Sequence, residues 1–311
     1  MFHLTILASG SAGNCALVES DGCRLLIDGG LSARQMAVRL AACGVAPESI
    51  DAILLTHEHC DHTTGLDVWC DQFSTPIYCN RLTAEVLRNA PQVGKKERKK
   101  DWRTFLTGSD FSIGDIAIHA FSVPHDAADP CGFILHCGDA SLGFLTDLGF
   151  ATRLACERVR EVHTLLIETN HDEKLLQNDL RRPWPVKQRI MSRHGHLSNA
   201  AAAEVVAGLG GSRLRRVVLG HLSRDCNTPE LALATVRGRL QATDDGAAIE
   251  VSCATHQQVG ERMRIGPTGP ELAEGPVGPK LAERPTSPEF AEASAAPGAE
   301  RVHEQAMFWS D

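Results

Sequence analysis

Three histidines and an aspartate lie within six consecutive positions of this 311-residue chain. His57, His59, Asp61 and His62 follow residues 53–55, a short apolar run that is typical of a buried strand. A strand that ends in a tight loop lets alternate side chains turn toward one point, and imidazole and carboxylate together suit zinc, manganese or iron. The segment therefore predicts a metal site rather than a polar loop with chance histidines.

One loop cannot complete sites for two metals, so further ligands are expected at the ends of other strands. Asp28 follows residues 24–27, His125 follows 116–123, Asp147 follows 142–145, and His221 follows 217–219; each of these runs is a predicted strand. Each polar residue alone is unremarkable, but the repeated order of apolar strand and then aspartate or histidine is what a shared metal centre requires.

The remaining pattern mixes strands with intervening helices. Further strands are predicted for residues 4–8, 15–19, 132–136 and 165–168. Helices are predicted for residues 33–42, 200–208 and 230–241, with Ser32 as the N-cap of the first. This mixture favours an α+β fold, with two sheets covered by helices, over a simple parallel wound sheet.

Composition excludes several classes of protein. The 11 cysteines are scattered without a C-x-x-C pair, which argues against a disulfide framework and a zinc ribbon and favours a reducing cytoplasm. No apolar stretch is long enough to cross a bilayer, so no membrane association is expected. The net charge of -8 argues against a protein that wraps nucleic acid over its whole surface. The basic run at residues 95–100 is either a solvated loop or a local track for a phosphate backbone.

The character of the chain changes near residue 260. Proline, glycine, alanine, serine and glutamate dominate from there, so a folded domain is predicted for residues 1–259 and a disordered tail for 260–311. A nine-residue repeat recurs in the tail, at residues 270–274, 279–283 and 288–292. We favour drift in low-complexity sequence over the alternative, a motif in three copies that binds a protein partner.

The candidate ligands resemble those of the metallo-β-lactamase superfamily, and the resemblance extends over residues 2–259. It implies a four-layer αβ/βα sandwich that binds two divalent metal ions, zinc or manganese. It also implies that one metal is held by His57, His59 and His125, the other by Asp61, His62 and His221, and that Asp147 bridges them. Asp28 is expected to orient ligands through hydrogen bonds.

Several longer segments resemble the YycJ/WalJ branch of this superfamily, which is linked to 5′-to-3′ exonuclease activity on DNA. They are residues 8–14, 168–172, 184–189, 195–199 and 221–230, although Cys226 stands where asparagine is expected. The resemblance implies a metal-dependent DNA exonuclease. The alternative is a small-molecule hydrolase of the same fold that acts on a cyclic phosphodiester, a thioester or a lactam. A non-catalytic binding module is disfavoured because the ligand set is complete.

The mechanism expected from these residues is attack on phosphorus by a hydroxide that bridges the two metals. Asp61 is predicted to steer the water or accept its proton, and His196 to donate a proton to the leaving oxygen. The predicted substrate contacts are Asn170, His171, Ser198 and Asn199. For Ser198 and Asn199, capping of the helix that begins near residue 200 is an equally favoured role.

Overall fold

The computed structural model describes residues 1–90, 100–210, 212–243 and 248–267. Its strands are β1 (His3–Ala8), β2 (Cys15–Glu19), β3 (Arg24–Ile27), β4 (Ala52–Leu54), β5 (Ile77–Asn80), β6 (Trp102–Phe105), β7 (Asp110–Ile113), β8 (Ile116–Ser122), β9 (Cys131–Cys137), β10 (Ala140–Leu145), β11 (Thr164–Glu168), β12 (Arg216–Gly220), β13 (Glu250–Cys253) and β14 (Met263–Arg264). Its α-helices are α1 (Ala33–Ala42), α2 (Cys60–Thr63), α3 (Leu66–Phe73), α4 (Arg81–Asn89), α5 (Arg153–Val159), α6 (Glu173–Asn178), α7 (Trp184–Ile190), α8 (Asn199–Ala207) and α9 (Pro229–Leu240).

The strands form two sheets that pack face to face. One has the order β14-β1-β2-β3-β4-β5-β6, and the other has the order β13-β12-β11-β10-β9-β8-β7. Successive side chains point to opposite faces of a strand, so a strand covered on both faces needs a continuous apolar run. In β3, Leu25 and Ile27 lie in the core between the sheets, while Leu26 lies with Met36 of α1 on the other face.

Helices cover the outer face of each sheet. Trp69 of α3 and Ala84 of α4 join α1 in the apolar cluster on the first sheet. On the second sheet, the corresponding cluster contains residues of α5, α8 and α9, among them Val159, Val206 and Val236. The order helix, sheet, sheet, helix confirms the predicted four-layer αβ/βα sandwich.

The folded part extends beyond the predicted boundary at residue 259. Met263 and Arg264 of β14 pair with Leu4 and His3 of β1, so residues after 259 complete the edge of the first sheet. The repeat at residues 270–292 and residues 95–99 of the basic run lie outside the described residues.

Two other expectations can be compared with the structure. None of the 11 cysteines forms a disulfide bond. Among the described residues, no helix is long and apolar enough to span a membrane.

The direction of the strands determines where the functional side chains meet. β3 runs parallel to β4, and β10, β11 and β12 are parallel neighbours in the second sheet. Parallel strands present their carboxyl ends at one edge of a sheet, which is where such folds place their sites. The residues that follow β3, β4, β10, β11 and β12 therefore converge.

Candidate metal centre

Three of the converging residues have an unusual backbone conformation. Asp28 follows β3, Asp147 follows β10 and His221 follows β12, with φ angles of 61°, 56° and 54°. A left-handed conformation costs a residue other than glycine about 1–3 kcal/mol, so it persists only where the surrounding structure enforces it. The strain is concentrated at residues around one point, which is typical of a functional site.

The first group of donors consists of His57, His59 and His125. One ring nitrogen from each lies within 4.8 Å of the others. The Nδ1 of His125 is 3.0 Å from the carbonyl oxygen of Gly195, to which it donates, so its Nε2 faces the group and lies 3.3 Å from Nδ1 of His59. These three rings therefore present nitrogens to one point.

The second group consists of Asp61, His62 and His221, and Asp147 lies between the two groups. Oδ2 of Asp61 is 3.2 Å from Nε2 of His221 and 3.3 Å from Nε2 of His62. The Asp147 carboxylate is 3.3 Å from Nε2 of both His62 and His221, and 3.9 Å from Nε2 of His125. Asp147 can thus reach ions held by either group.

Unpartnered buried atoms show that these residues fit metal ions. Within the part of the chain that the structure describes, Nε2 of His57 and both carboxylate oxygens of Asp147 are buried without a hydrogen-bond partner. Such groups cost about 1–3 kcal/mol each when left unsatisfied, and more when charged. Imidazole and carboxylate donors suit zinc and manganese, so bound cations would remove this cost.

Asp28 and Thr56 orient the rings of His62 and His57 through hydrogen bonds. Oδ2 of the fully buried Asp28 is 2.8 Å from Nδ1 of His62, and its Oδ1 accepts the Thr56 amide at 2.9 Å. The Thr56 hydroxyl lies 3.0 Å from Nδ1 of His57. Hydrogen bonds to the far side of a ring fix its orientation, so both rings present Nε2 to the site.

Glu168, the last residue of β11, was not singled out among the predicted site residues. Its buried carboxylate accepts the amides of Leu148 and Leu197 at 3.0 and 3.1 Å, and lies 2.9 Å from Nδ1 of His221 and 2.7 Å from Nδ1 of His196. The sequence signal was an acidic residue at the end of an apolar strand, since a buried carboxylate needs partners.

The loop between β1 and β2 supports the second group. The Asn14 side-chain amide lies 3.3 Å from Oδ2 of Asp61 and 3.2 Å from Nε2 of His62, and the Ser9 hydroxyl accepts the His221 amide at 2.8 Å. Gly30 is required for this approach, because a Cβ there would lie 1.6 Å from the Asp61 carbonyl oxygen.

The predicted contacts at the start of α8 are occupied by other interactions. The Ser198 hydroxyl accepts the Ala201 amide at 3.2 Å, which is helix capping, and donates to Glu173 at 2.9 Å. The Asn199 side chain exchanges hydrogen bonds of 2.9 and 2.8 Å with Asn227. Both residues are buried, and their hydrogen bonds connect the start of α8 to Glu173 and Asn227. Direct contact with a substrate stays a prediction for both.

The predicted contacts after β11 are also buried. Asn170 donates from its side chain to the His221 carbonyl at 3.1 Å, which helps to hold the strained backbone there. Burial lowers the pKa of His171 to about 4, so this ring is neutral at pH 7. A substrate contact by either residue stays a prediction.

Burial and nearby charges divide the candidate ligand histidines into two classes. Burial, aided by the other histidines, lowers the pKa of His57 well below its usual value, and burial also lowers that of His125. Burial opposes protonation of His62 and His221 as well, but nearby carboxylates, Asp147 among them, outweigh it and raise both pKa values well above the usual range. Without metal, His57 and His125 are neutral at pH 7, whereas His62 and His221 hold protons.

Metal binding should therefore release protons. Because the pKa values of His62 and His221 are raised, a cation at pH 7 must displace about one or two protons there, and its apparent affinity should fall as the pH falls. Calorimetric titration of the metal-free protein with zinc, in two buffers of different ionisation enthalpy, measures the release. His119→Gln, at a partly buried histidine of β8 that belongs to neither donor group, is the control and should behave as wild type. Equal heats in both buffers would contradict the expectation.

Comparison with known proteins agrees with this geometry. The family model described as a β-lactamase superfamily domain matches residues 23–222. The chain is 37% identical over 249 residues to exodeoxyribonuclease WalJ of Streptococcus pneumoniae, covering 80% of this chain and 92% of the relative. It is 32% identical over 270 residues to exodeoxyribonuclease YycJ of Bacillus anthracis, covering 87% and 96%.

A solved structure supports the fold independently. The metallo-β-lactamase fold protein YhfI from Bacillus subtilis superposes with a TM-score of 0.63 at 17% identity, covering 84% of this chain and 100% of that one. At such low identity the likeness concerns the fold alone. Together with the two exodeoxyribonucleases and the His and Asp groups, it shows that this chain is a metal-dependent hydrolase of the β-lactamase superfamily, in the group that contains WalJ and YycJ.

Proposed function

We propose that this protein is a two-metal exonuclease that hydrolyses phosphodiester bonds in DNA. The observation that carries the proposal is the pair of donor groups with Asp147 between them, which suits two adjacent cations. DNA is the substrate class named for the WalJ and YycJ relatives. The reducing cytoplasm in which we place this activity suits a chain whose 11 cysteines form no disulfide bond.

The two groups would divide the metals between them. His57, His59 and His125 would hold one cation, Asp61, His62 and His221 the other, and Asp147 would bridge them; zinc and manganese both suit these donors. When bound, two such cations supply an ionised water near neutral pH and positive charge for the phosphate oxygens. The protein's part is to hold the ligands, orient the water and provide a proton.

Asp61 is the residue best placed to orient the attacking water. Its side chain is 19% exposed, whereas those of His62 and His221 are each 1% exposed. Oδ2 is engaged with both histidines, which fixes the plane of the carboxylate. Asp61 would therefore accept a hydrogen bond from the water at the open side of the site and take its proton.

His196 is placed to protonate the leaving oxygen. Its ring lies between His125 and His221, with centroid distances of 5.0 and 5.3 Å, and its side chain is 19% exposed. Nδ1 donates to Glu168 at 2.7 Å. Burial opposes the charge on His196, but the Glu168 carboxylate outweighs it and raises the pKa, so the ring carries a proton to donate.

The proposal is tested by reconstituting the protein with zinc or manganese and offering it three substrates. They are end-labelled double-stranded DNA, end-labelled single-stranded DNA and the small diester bis(p-nitrophenyl) phosphate. We expect DNA to shorten progressively from an end and His59→Ala to lose this activity. Hydrolysis of the small diester without any cleavage of DNA would instead support the alternative, a small-molecule hydrolase of this fold.

A further inference from the structure

Two arginines that the mechanism does not use, Arg189 and Arg193, lie in the segment before Gly195, whose carbonyl oxygen accepts from the ring of His125. We call this segment the rim. Arg189 lies near the end of α7, and Arg193 lies in the turn that follows. We propose that Arg189 and Arg193 bind phosphate groups of the DNA strand next to the bond that is cleaved. This inference rests on the proposed function and names the part of the substrate that the rim would hold.

Arg189 is joined to the metal centre through Asp126. Its Nε donates to Oδ2 of Asp126 at 2.6 Å, and Oδ1 of the same carboxylate lies 3.5 Å from Nε2 of His125. This bond fixes the plane of the guanidinium, whose side chain is still 46% exposed. A fixed, exposed guanidinium is suited to phosphate, because its planar set of donors matches two phosphate oxygens.

Arg193 is held on the loop that carries Asp147. Its guanidinium carbon lies 3.9 Å above the ring centroid of Phe150, a cation–π contact. The backbone of Ser192 and Arg193 packs so closely on Gly149 that a Cβ there would lie 2.3 Å from the Ser192 carbonyl oxygen. The Arg193 backbone is therefore held against the loop that follows Asp147, two residues before Gly195, whose carbonyl oxygen accepts from His125.

Local charge explains why a polyanion would approach here. The chain has a net charge of -8, so its whole surface does not attract DNA. The Asp126 carboxylate beside His125 would repel a phosphate if it were unpaired, and the ion pair with Arg189 cancels that charge. Arg193 adds a further positive charge on the segment between Arg189 and Gly195, and we expect an incoming strand to pass there.

The test measures DNA binding and small-diester hydrolysis in the same variants. Binding is followed by fluorescence anisotropy with a 3′-fluorescein phosphorothioate oligonucleotide on the metal-loaded protein. For Arg189→Ala we expect Kd to rise about tenfold and the slope of log K against log salt to fall by about one. Arg193→Ala should change both quantities in the same direction. Hydrolysis of bis(p-nitrophenyl) phosphate, which has no neighbouring phosphate, should be unchanged in Arg193→Ala. In Arg189→Ala it should fall by less than DNA binding does, because the loss of Arg189 leaves Asp126 unpaired beside His125.

Arg239→Ala is the matched control. Arg239 is an arginine of α9 whose Nε donates to Glu204 at 2.7 Å, the same kind of ion pair away from the rim, and its loss should leave Kd and salt slope unchanged. Wild-type binding by both rim variants would overturn the inference while leaving the exonuclease proposal intact. Equal losses on DNA and on the small diester would also overturn it, because Arg189 would then act by supporting His125. A wild-type protein that hydrolyses only the small diester would refute the proposed function itself.

Discussion

Asp147→Asn should lower the rate of phosphodiester hydrolysis by roughly a thousandfold. This ratio corresponds to an activation free energy that is higher by several kcal/mol, as expected if the carboxylate that would bridge the two metals is lost. Asparagine has nearly the same shape but offers one neutral oxygen, and its amide would point hydrogens at His62 or His221. It also accepts the left-handed backbone, with φ of 56°, that this position requires. The fold should therefore survive while the metal centre does not.

Metal content and activity must be measured on the same Asp147→Asn preparation. Elemental analysis after dialysis should show the loss of at least one metal equivalent relative to wild type, and bis(p-nitrophenyl) phosphate should be hydrolysed at the lowered rate. Asp139→Asn, an exposed aspartate just before β10, is the control and should retain both metal and activity. Full metal content with wild-type activity in Asp147→Asn would rule out a bridging role.

The residues that the structure brings together as candidate ligands, and Asp28 beside them, could be found from the sequence because several of them follow apolar strands. The strands before Asp28, His57, Asp147 and His221 are covered on both faces, so their side chains form continuous apolar runs that are easy to recognise. A recognised strand end then predicts where the next polar side chain points. A search for continuous apolar runs does not detect β6 and β7, because their residues are largely exposed and mix charged with apolar types.

The residues that hold the ligands were harder to predict, because their roles depend on partners far along the chain. Glu168 accepts from Leu197 and contacts His221, 29 and 53 positions away. Asn14 reaches Asp61 across 47 positions. Such contacts exist only after both sheets have formed. A local pattern of polarity can mark Glu168 as a buried acidic residue, but it does not identify the partners of Glu168 or of Asn14.

The protonation of His196 leads to a second large effect, in which the loss of activity depends on the leaving group. His196→Gln should lower kcat on DNA by about a hundredfold to ten-thousandfold, because the alkoxide leaving group then departs without a proton. Bis(p-nitrophenyl) phosphate releases p-nitrophenolate, a weak base that needs no proton, so its hydrolysis should be affected much less. A residue that only supported the metal centre would reduce both reactions equally.

The pH dependence of the rate on DNA also distinguishes a proton donor from a residue that only supports the metal centre. Glu168 raises the pKa of His196, so the wild-type rate on DNA should hold through neutral pH and decline only as the pH rises through that raised value. The decline should be missing from the profile of His196→Gln. Metal content must stay unchanged in this variant, since Glu168 also contacts His221. His194→Gln, an exposed histidine two positions away, should keep the wild-type profile on both substrates. Equal losses on DNA and on the small diester, or a basic limb that persists in His196→Gln, would assign the proton to another donor.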